Sequence, residues 1–346
     1  MKVLVTGGAG FIGGHLVDAL VAGGHEVVVL DALLPQVHRG RAWPAYINSG
    51  VAAYVEGSTT SPRVVRAVLQ AHDPDVVYDL AAAVGVGQSM YEVGHYVATN
   101  DHGTAVLLDE VAGLAAGSRL RRLVVASSMS IYGEGARDAD GVGAAPTPED
   151  HPTTAPSVYG LTKLQQERLT LTVAAAYGIP AVALRFFNCY GARQALSNPY
   201  TGVCAIFATD LLQGRQPTIY EDGLQTRDFI HVDDIVAALL LAGDEAAGLE
   251  GAYNVGTGVA TSVLDVADLL ARDIAPGIRP NVTGVRRAGD IRHCVADSSR
   301  LRAAGWEPRV ALSDGIRDLV AWVREQEGVP APADAHGELE RRGLVA

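Results

Sequence analysis

Residues 2–13 read KVLVTGGAGFIG. A short, partly β-branched apolar run passes directly into Gly7, Gly10 and Gly13 at the G-x-x-G-x-x-G spacing, and FIGGHLVDALVAGG comes next. Such a run favours a buried strand. Glycines permit the tight turn and close backbone approach that a strand needs to enter a helix at once. The unit reads as strand, turn, helix, and a helix N-terminus of this kind is a natural seat for an anion. It also constrains the rest of the chain, because a strand that feeds a helix in this way is completed by a parallel neighbour.

The first half of the chain repeats the pattern. EVVVL, AAYVE, DVVYDL and RLVVAS read as strands buried on both faces, with helical patterns between them in SPRVVRAVLQAH and over about 91–114. Another helix is predicted over 157–177, stopped by Gly178 and Pro180. This order predicts an α/β fold of Rossmann type, a doubly wound parallel sheet with helices on both faces. After VALRFF (182–187) the pattern turns irregular, with a loop in NCYGARQALSNPYTG, helices near 203–213 and 233–243, and a strand in AYNVG. A first domain over 1–185 is expected, followed by a smaller mixed α/β lobe over 186–346. The segment at about 226–256 is expected to return in part to the first domain. The Pro-, Ala- and charge-rich tail from Gly328 reads as peripheral, without chemistry of its own.

Composition narrows the class of partner. With 346 residues, 48% of them hydrophobic, the chain can bury one large core or two in contact. A net charge of −12 argues against nucleic acid or an anionic membrane surface, so any phosphate site must be local, built from a few arginines and backbone N–H groups. Cys189, Cys204 and Cys294 have no metal-type spacing, so no metal is expected, and they fit a reducing compartment. MKVLVTGGAG is not a signal peptide, and no apolar run reaches membrane-spanning length. A cytoplasmic location is expected.

The glycine turn gains meaning from Asp31, which ends the second strand 18 residues after Gly13. A pyrophosphate on the turn and a carboxylate at that distance suit a dinucleotide whose ribose 2′-hydroxyl is free, since the carboxylate repels a 2′-phosphate. The cofactor expected is NAD rather than NADP, with Phe11 and Ile12 of the turn also against it.

A second group of residues suggests the chemistry. VASSMSIYG (125–133) delivers Ser127, Ser128 and Ser130 at the end of a buried strand. A buried hydroxyl without a partner is costly, so a turn or a ligand must satisfy them. The chain has two lysines, Lys2 and Lys163, and Lys163 lies four residues after Tyr159 in YGLTK, on one helical face. A surface i,i+4 pair is the bland alternative, weakened by the use of arginine almost everywhere else. A phenol near pKa ~10 is a poor base. An adjacent ammonium and a positive nicotinamide ring favour the phenolate, which can then take a hydroxyl proton while hydride leaves for NAD. A strand-end serine would hydrogen-bond the same substrate oxygen.

TGGAGFIG, the strand-end serine with IYG, YGLTK, LRFFNCYG and RDFIHVDD, in this order, resemble the extended short-chain dehydrogenase/reductases that modify nucleotide sugars. The resemblance runs to about residue 325. It implies Ser128, Tyr159 and Lys163 as catalytic residues, with Asn100 of NDHGT and Leu80, Ala81 and Ala82 near the cofactor. Where the family has an acidic residue against adenine, EGST places Ser58, so that contact is weaker or supplied elsewhere. Arg227 in QTRDF and Arg287 in RRAGD match arginines that clamp a pyrophosphate, for which guanidinium forks are suited. The resemblance adds Asn188 and Asp290 as phosphate and ribose contacts, Tyr220 as the packing surface for the base, and Gln88 and Ser130 as further substrate contacts. Cys294 falls where side-chain bulk governs room for large C2 substituents. Helices near 91–114 and 157–177 pair across a two-fold axis in similar enzymes, which implies a homodimer.

Met129 and Ser130 bear on the reaction. Family members that dehydrate C5–C6 carry Asp-Glu there, and those that decarboxylate uronic acids tend to keep Glu at the second position. A thioether and a hydroxyl cannot do that proton work, which leaves hydride out and hydride back: 4-epimerisation of a nucleotide-diphosphate sugar. GQSMYE, SSMSIYGEG and ARQALSNPYTGVCAIF resemble more narrowly the dTDP-L-rhamnose 4-epimerases, with a shorter, cysteine-free insert after GEG. The substrate expected is a dTDP-6-deoxyhexose or a UDP-hexose. A 4-ketoreductase, a 4,6-dehydratase or decarboxylase, and an NAD-binding regulator without activity remain as alternatives.

Overall fold

Alternation along the first two strands sets the architecture. Val3, Val5, Val27 and Val29 point into one apolar layer, while Leu4, Val28 and Leu30 point into another on the opposite face. A sheet with both faces apolar must be covered on both sides. It comprises seven strands, β1 (Lys2–Thr6), β2 (Glu26–Asp31), β3 (Ala53–Glu56), β4 (Val76–Asp79), β5 (Arg122–Ser128), β6 (Ala181–Phe186) and β7 (Gly251–Val255). Their order is β7-β6-β5-β4-β1-β2-β3, and every neighbouring pair is parallel. The order reverses beside β1, which opens a crevice at the carboxyl ends of the strands. This computed structural model describes residues 1–38, 41–114, 117–196, 198, 202–326 and 335–345.

Helix α1 (Phe11–Ala22) covers one face with a helix from late in the chain, Val232–Gly243. The other face carries α2 (Pro62–His72), α3 (Gly103–Leu114) and α4 (Val158–Ala176). The run expected over 91–114 is helical from Val93 but not uniform, because Val97–His102 winds as a wider π-turn that buries Asn100. Helices α5 (Val203–Leu212), α7 (Val263–Ile274) and α8 (Leu312–Glu325), counting Val232–Gly243 as α6, pack around a separate apolar cluster that includes Phe207, Leu270 and Leu319. Beside it lies a small mixed sheet of Thr261–Ser262, Thr226–Arg227, His293–Ala296 and Pro146–Thr147. Among the described residues, no helix is long and apolar enough to cross a membrane.

The buried face of α4 is polar. Thr162, Lys163, Gln166, Glu167 and Thr170 all face inward. Glu167 accepts two hydrogen bonds from Arg185 of β6, at 2.6 and 3.0 Å, and a third at 2.6 Å from Ser127 of β5. Arg185 also donates to the Tyr132 hydroxyl and the Glu149 carbonyl, both at 2.7 Å. Tyr132 in turn donates to Asn254 of β7 at 2.7 Å. Removing one partner of a buried pair strands the other charge, at about 3–5 kcal/mol. Glu167→Ala is therefore expected to lower unfolding stability by about that amount, read by urea titration. A loss below about 1 kcal/mol, the range of an exposed pair, would show that this pair does not anchor α4.

Candidate active site

The glycine turn closes on itself. Gly7 sits at φ +66°, where glycine is unstrained, and a Cβ at Gly13 would collide with the Gly7 carbonyl oxygen. Helix α1 begins at Gly10 with no side-chain cap, so no side chain competes with an anion for the first-turn N–H groups. A cradle that excludes a Cβ at Gly13, crowds one at Gly7 and leaves the first-turn N–H groups uncapped by side chains fits a pyrophosphate. Asp31 lies beside it, its carboxylate accepting from the Ala9 N–H at 3.0 Å and the Leu33 N–H at 2.9 Å. A carboxylate has lone pairs left for a ribose hydroxyl after two such bonds.

Turn and carboxylate line one wall of a cavity of about 740 Å³. Gly7, Gly10, Phe11, Ile12, Gly13 and Asp31 all face it. So do Ser58, whose hydroxyl lies 2.8 Å from that of Thr60, and the backbone segment Leu80, Ala81 and Ala82.

The strand-end serines separate. Ser127 is spent on Glu167. Ser128 accepts from the Ser130 N–H at 3.1 Å and lines the cavity with Ser130, Tyr159 and Lys163. Burial raises the Tyr159 phenol above its ordinary value, and the nearby Ser128 hydroxyl opposes the rise. Lys163 donates to Gln166 Oε1 at 2.7 Å. Burial brings its ammonium down to about 8 against the pull of Asp79, Glu167 and Asp101. The Y-x-x-x-K spacing implies an ammonium that depresses the phenol. In the chain as it stands, burial dominates at the phenol, and the ammonium is hydrogen-bonded to its own helix.

Asn188, Tyr220, Arg227, Arg287 and Asp290 line the opposite part of the cavity. Arg227 is held rigidly, donating to the carbonyls of Thr226, Arg292 and Ile291 at 2.8, 3.2 and 2.6 Å. Arg287 pairs with Asp290 at 2.8 and 3.0 Å, and its guanidinium lies 5.0 Å from the centre of the Tyr220 ring. Asn188 Oδ1 is buried without a hydrogen-bond partner among the described residues. Of the tail, 328–334 lies outside the described residues, but 335–345 does not stand apart. Val345 bridges Arg287, the Ala288 N–H donates to the Leu344 carbonyl at 2.9 Å, and Arg342 stacks over Tyr91.

Three expected residues do not face the cavity. Asn100 is buried behind it, its amide bonded both ways to the Ala83 backbone (2.7 and 3.1 Å) and to Thr162 at 2.9 Å, so it fixes the wall rather than a ligand. Gln88 exchanges amide hydrogen bonds with Gln36 at 2.8 and 3.1 Å. Cys294 is paired in register with Arg227, 1% exposed, and its thiol is pushed up to about 12 by burial among Met129, Ile131 and Ile291. Gln194, Gln225 and His38 also line the cavity; the two glutamines lie within ARQALSNPYTGVCAIF and QTRDF, but those motifs do not single them out. The side-chain carbonyls of the two glutamines are buried without partners among the described residues, which only their packing reveals. Cys294→Tyr is accordingly expected to overpack the core and lower stability by about 1–3 kcal/mol in thermal unfolding. Unchanged stability with altered preference for 2-acetamido sugars would place the side chain in the cavity after all.

The model of the NAD dependent epimerase/dehydratase family matches residues 3–256. The chain is 35% identical to the dTDP-L-rhamnose 4-epimerase of Burkholderia thailandensis, over 94% of this chain and 95% of that protein. It is 36% identical to the UDP-glucose 4-epimerase of Mycolicibacterium smegmatis, over 94% and 99%. Its fold superposes on the UDP-glucose 4-epimerase of Thermotoga maritima with UDP-glucose at a TM-score of 0.83, with 33% identity over 94% of this chain and 99% of that one. A match over most of the chain, on a sheet and cradle built for a dinucleotide, makes this protein a member of the NAD dependent epimerase/dehydratase family.

Proposed function

We propose that the protein is an NAD-dependent 4-epimerase of nucleotide-diphosphate sugars, acting on a dTDP-6-deoxyhexose such as dTDP-L-rhamnose or on a UDP-hexose. One observation carries the reading. Ser128, Tyr159 and Lys163 share a wall of the cavity, while the carboxylates that line it, Asp31, Asp210, Glu221 and Asp290, all belong to other segments than 128–132 and α4. Oxidation and reduction at one carbon need a single base. Elimination of water needs an acid and base beside it, and that wall carries only Met129 and Ser130 there.

The glycine cradle and Asp31 hold NAD, which when bound supplies the hydride acceptor and a positive ring that favours the phenolate. Tyr159 takes the proton of the C4 hydroxyl and later returns it to that same oxygen, once the sugar has turned to offer the opposite face of C4. Ser128, on the same wall as the phenol, fixes the oxygen that loses its proton. Lys163 sustains the phenolate as a nearby ammonium. Arg227, Arg287 and Asn188 bind the diphosphate, and Tyr220 packs the base, so the sugar can turn while its nucleotide stays anchored. We assign 1–185, with the return at 226–256, to cofactor binding and the remainder to the nucleotide sugar. Three unpaired cysteines suit the cytoplasm.

The same reading includes a homodimer. Val93, Val97 and Leu161 are 47, 42 and 54% exposed on the helical run after Val93 and on α4. Apolar side chains on neighbouring helices are what a second copy would cover.

Three outcomes test this. Turnover in deuterium oxide with dTDP-L-rhamnose or UDP-glucose and no added reductant should give the C4 epimer without deuterium at C4 or C5 by NMR. Deuterium at C5, or a strict need for NADH, would sink the epimerase reading. Tyr159→Phe should retain NAD and fold while losing about a hundred- to ten-thousand-fold in kcat; retention of a tenth of turnover would remove Tyr159 as the base. Leu161→Asp should convert a dimer to a monomer in light scattering, and a monomeric parent protein at micromolar concentration would refute the dimer.

A further inference from the structure

Behind the cavity wall lies a buried carboxylate that neither the fold nor the proposed chemistry has used. Asp79, the last residue of β4, is 6% exposed and does not face the cavity. It is joined to Lys163 by a chain of hydrogen bonds whose direction can be worked out. An ammonium only donates, so the Gln166 group 2.7 Å from Lys163 Nζ must be its carbonyl. The Gln166 amide N–H then donates to Thr104 Oγ1 at 2.8 Å. With an N–H arriving at its oxygen, Thr104 turns its own proton to Asp79 Oδ2, at 3.2 Å. The other oxygen, Oδ1, accepts at 2.6 Å from Thr6, whose hydroxyl in turn receives the Ala81 N–H at 3.2 Å. Every bond in the chain points from the cation to the anion, and Asp79 only accepts. That is the pattern of an ionised carboxylate.

We propose that Asp79 is the counter-charge of Lys163, acting through Thr104 and Gln166 as a positioning residue that keeps the ammonium protonated where burial would strip it. The proposal rests on the role of Lys163 in the proposed function. Two other carboxylates face Lys163, and neither serves as well. Glu167, on the same helix, is committed to Arg185 of β6 and to Ser127 of β5. Asp101, on the π-turn, has a buried Oδ1 without a hydrogen-bond partner among the described residues, and burial pushes its carboxyl up to about 6. Tyr159, one turn away on α4, is the remaining titratable group beside it. Burial also raises Asp79, while Thr6, Lys163 and Thr104 oppose the rise. Removing the Asp79 charge leaves the ammonium less supported, so Lys163 loses its proton at lower pH. The phenolate then loses its cation, and the alkaline limb of kcat moves down in pH.

The test exploits the two-lysine composition. Lysine labelled with ¹³C at Cε gives two resonances, and Lys2→Arg assigns the one from Lys163, whose midpoint can be followed directly. In Asp79→Asn the Lys163 midpoint is expected to fall by about one unit or more, the scale on which a close charge acts. The alkaline limb of kcat on dTDP-L-rhamnose or UDP-glucose should move with it, with KM and bound NAD unchanged. Thr104→Val, which cuts the chain while leaving the Asp79 carboxyl group in place, should shift the midpoint in the same direction, and Thr104→Ser, which keeps the hydroxyl, should not. These two decide the matter if Asp79→Asn does not fold. A Lys163 midpoint unmoved in Asp79→Asn, or equal in Thr104→Val and Thr104→Ser, overturns the proposal. A midpoint that moves while the kcat limb stays supports the counter-charge and overturns the catalytic role of Lys163 instead.

Discussion

Charge removed from water must be paired, and between the sheet and α4 this requirement places the reacting groups. An apolar helix face can rotate or slide by a few degrees at small cost, because dispersion has little direction. The α4 face is bound by directional contacts instead, Glu167 to Arg185 and Ser127, and Gln166 to Thr104 of α3. An unpaired charge at this depth would cost several kcal/mol, so the helix has one rotation. Tyr159, one turn before Lys163, is thereby set against Ser128.

The parallel sheet makes the site possible by bringing strand ends to one edge. The glycine turn comes after β1, Asp31 ends β2, the Leu80–Ala82 segment comes after β4, Ser128 ends β5, and Asn188 lies just past β6. Ligands laid along that edge meet a contact from each of these five strands. The second lobe closes the cavity with a wall of different construction. Arg227 and Cys294 are register partners on neighbouring strands; the longer Arg227 side chain reaches the cavity, while Cys294 packs among Met129, Ile131 and Ile291.

Much of this was legible in the chain. The glycine spacing, the β-branched runs and Asp31 depend on local geometry, and they led to the right fold and cofactor. Tyr159 and Lys163 stood out because the chain has so few lysines. The hydrogen-bond partners were harder to read. Three serines in four residues looked alike, yet strand pleating and the short helical turn after Ser128 send them to different fates. Resemblance carried Asn100, Gln88 and Cys294 to the right neighbourhood but not to the cavity surface, because a shared position does not fix where a side chain points. The helix at α4 was expected, but which face it buries was not, since burial there falls on polar residues while Leu161 stays exposed.

The sequence by itself determined the order of strands and helices, the strand-to-helix turn that can seat a pyrophosphate, and the presence of a tyrosine and lysine on one helical face. These arise from backbone preferences and from spacings of a few residues, which act locally. The tertiary structure alone decided which polar groups meet: Ser127 with Glu167 across 40 residues, Thr6 with Asp79 across 73, Tyr132 with Asn254 across 122. Those pairings arise because a parallel sheet brings together strand ends that are far apart in sequence. No local pattern shows which buried group will satisfy another until the layers have closed.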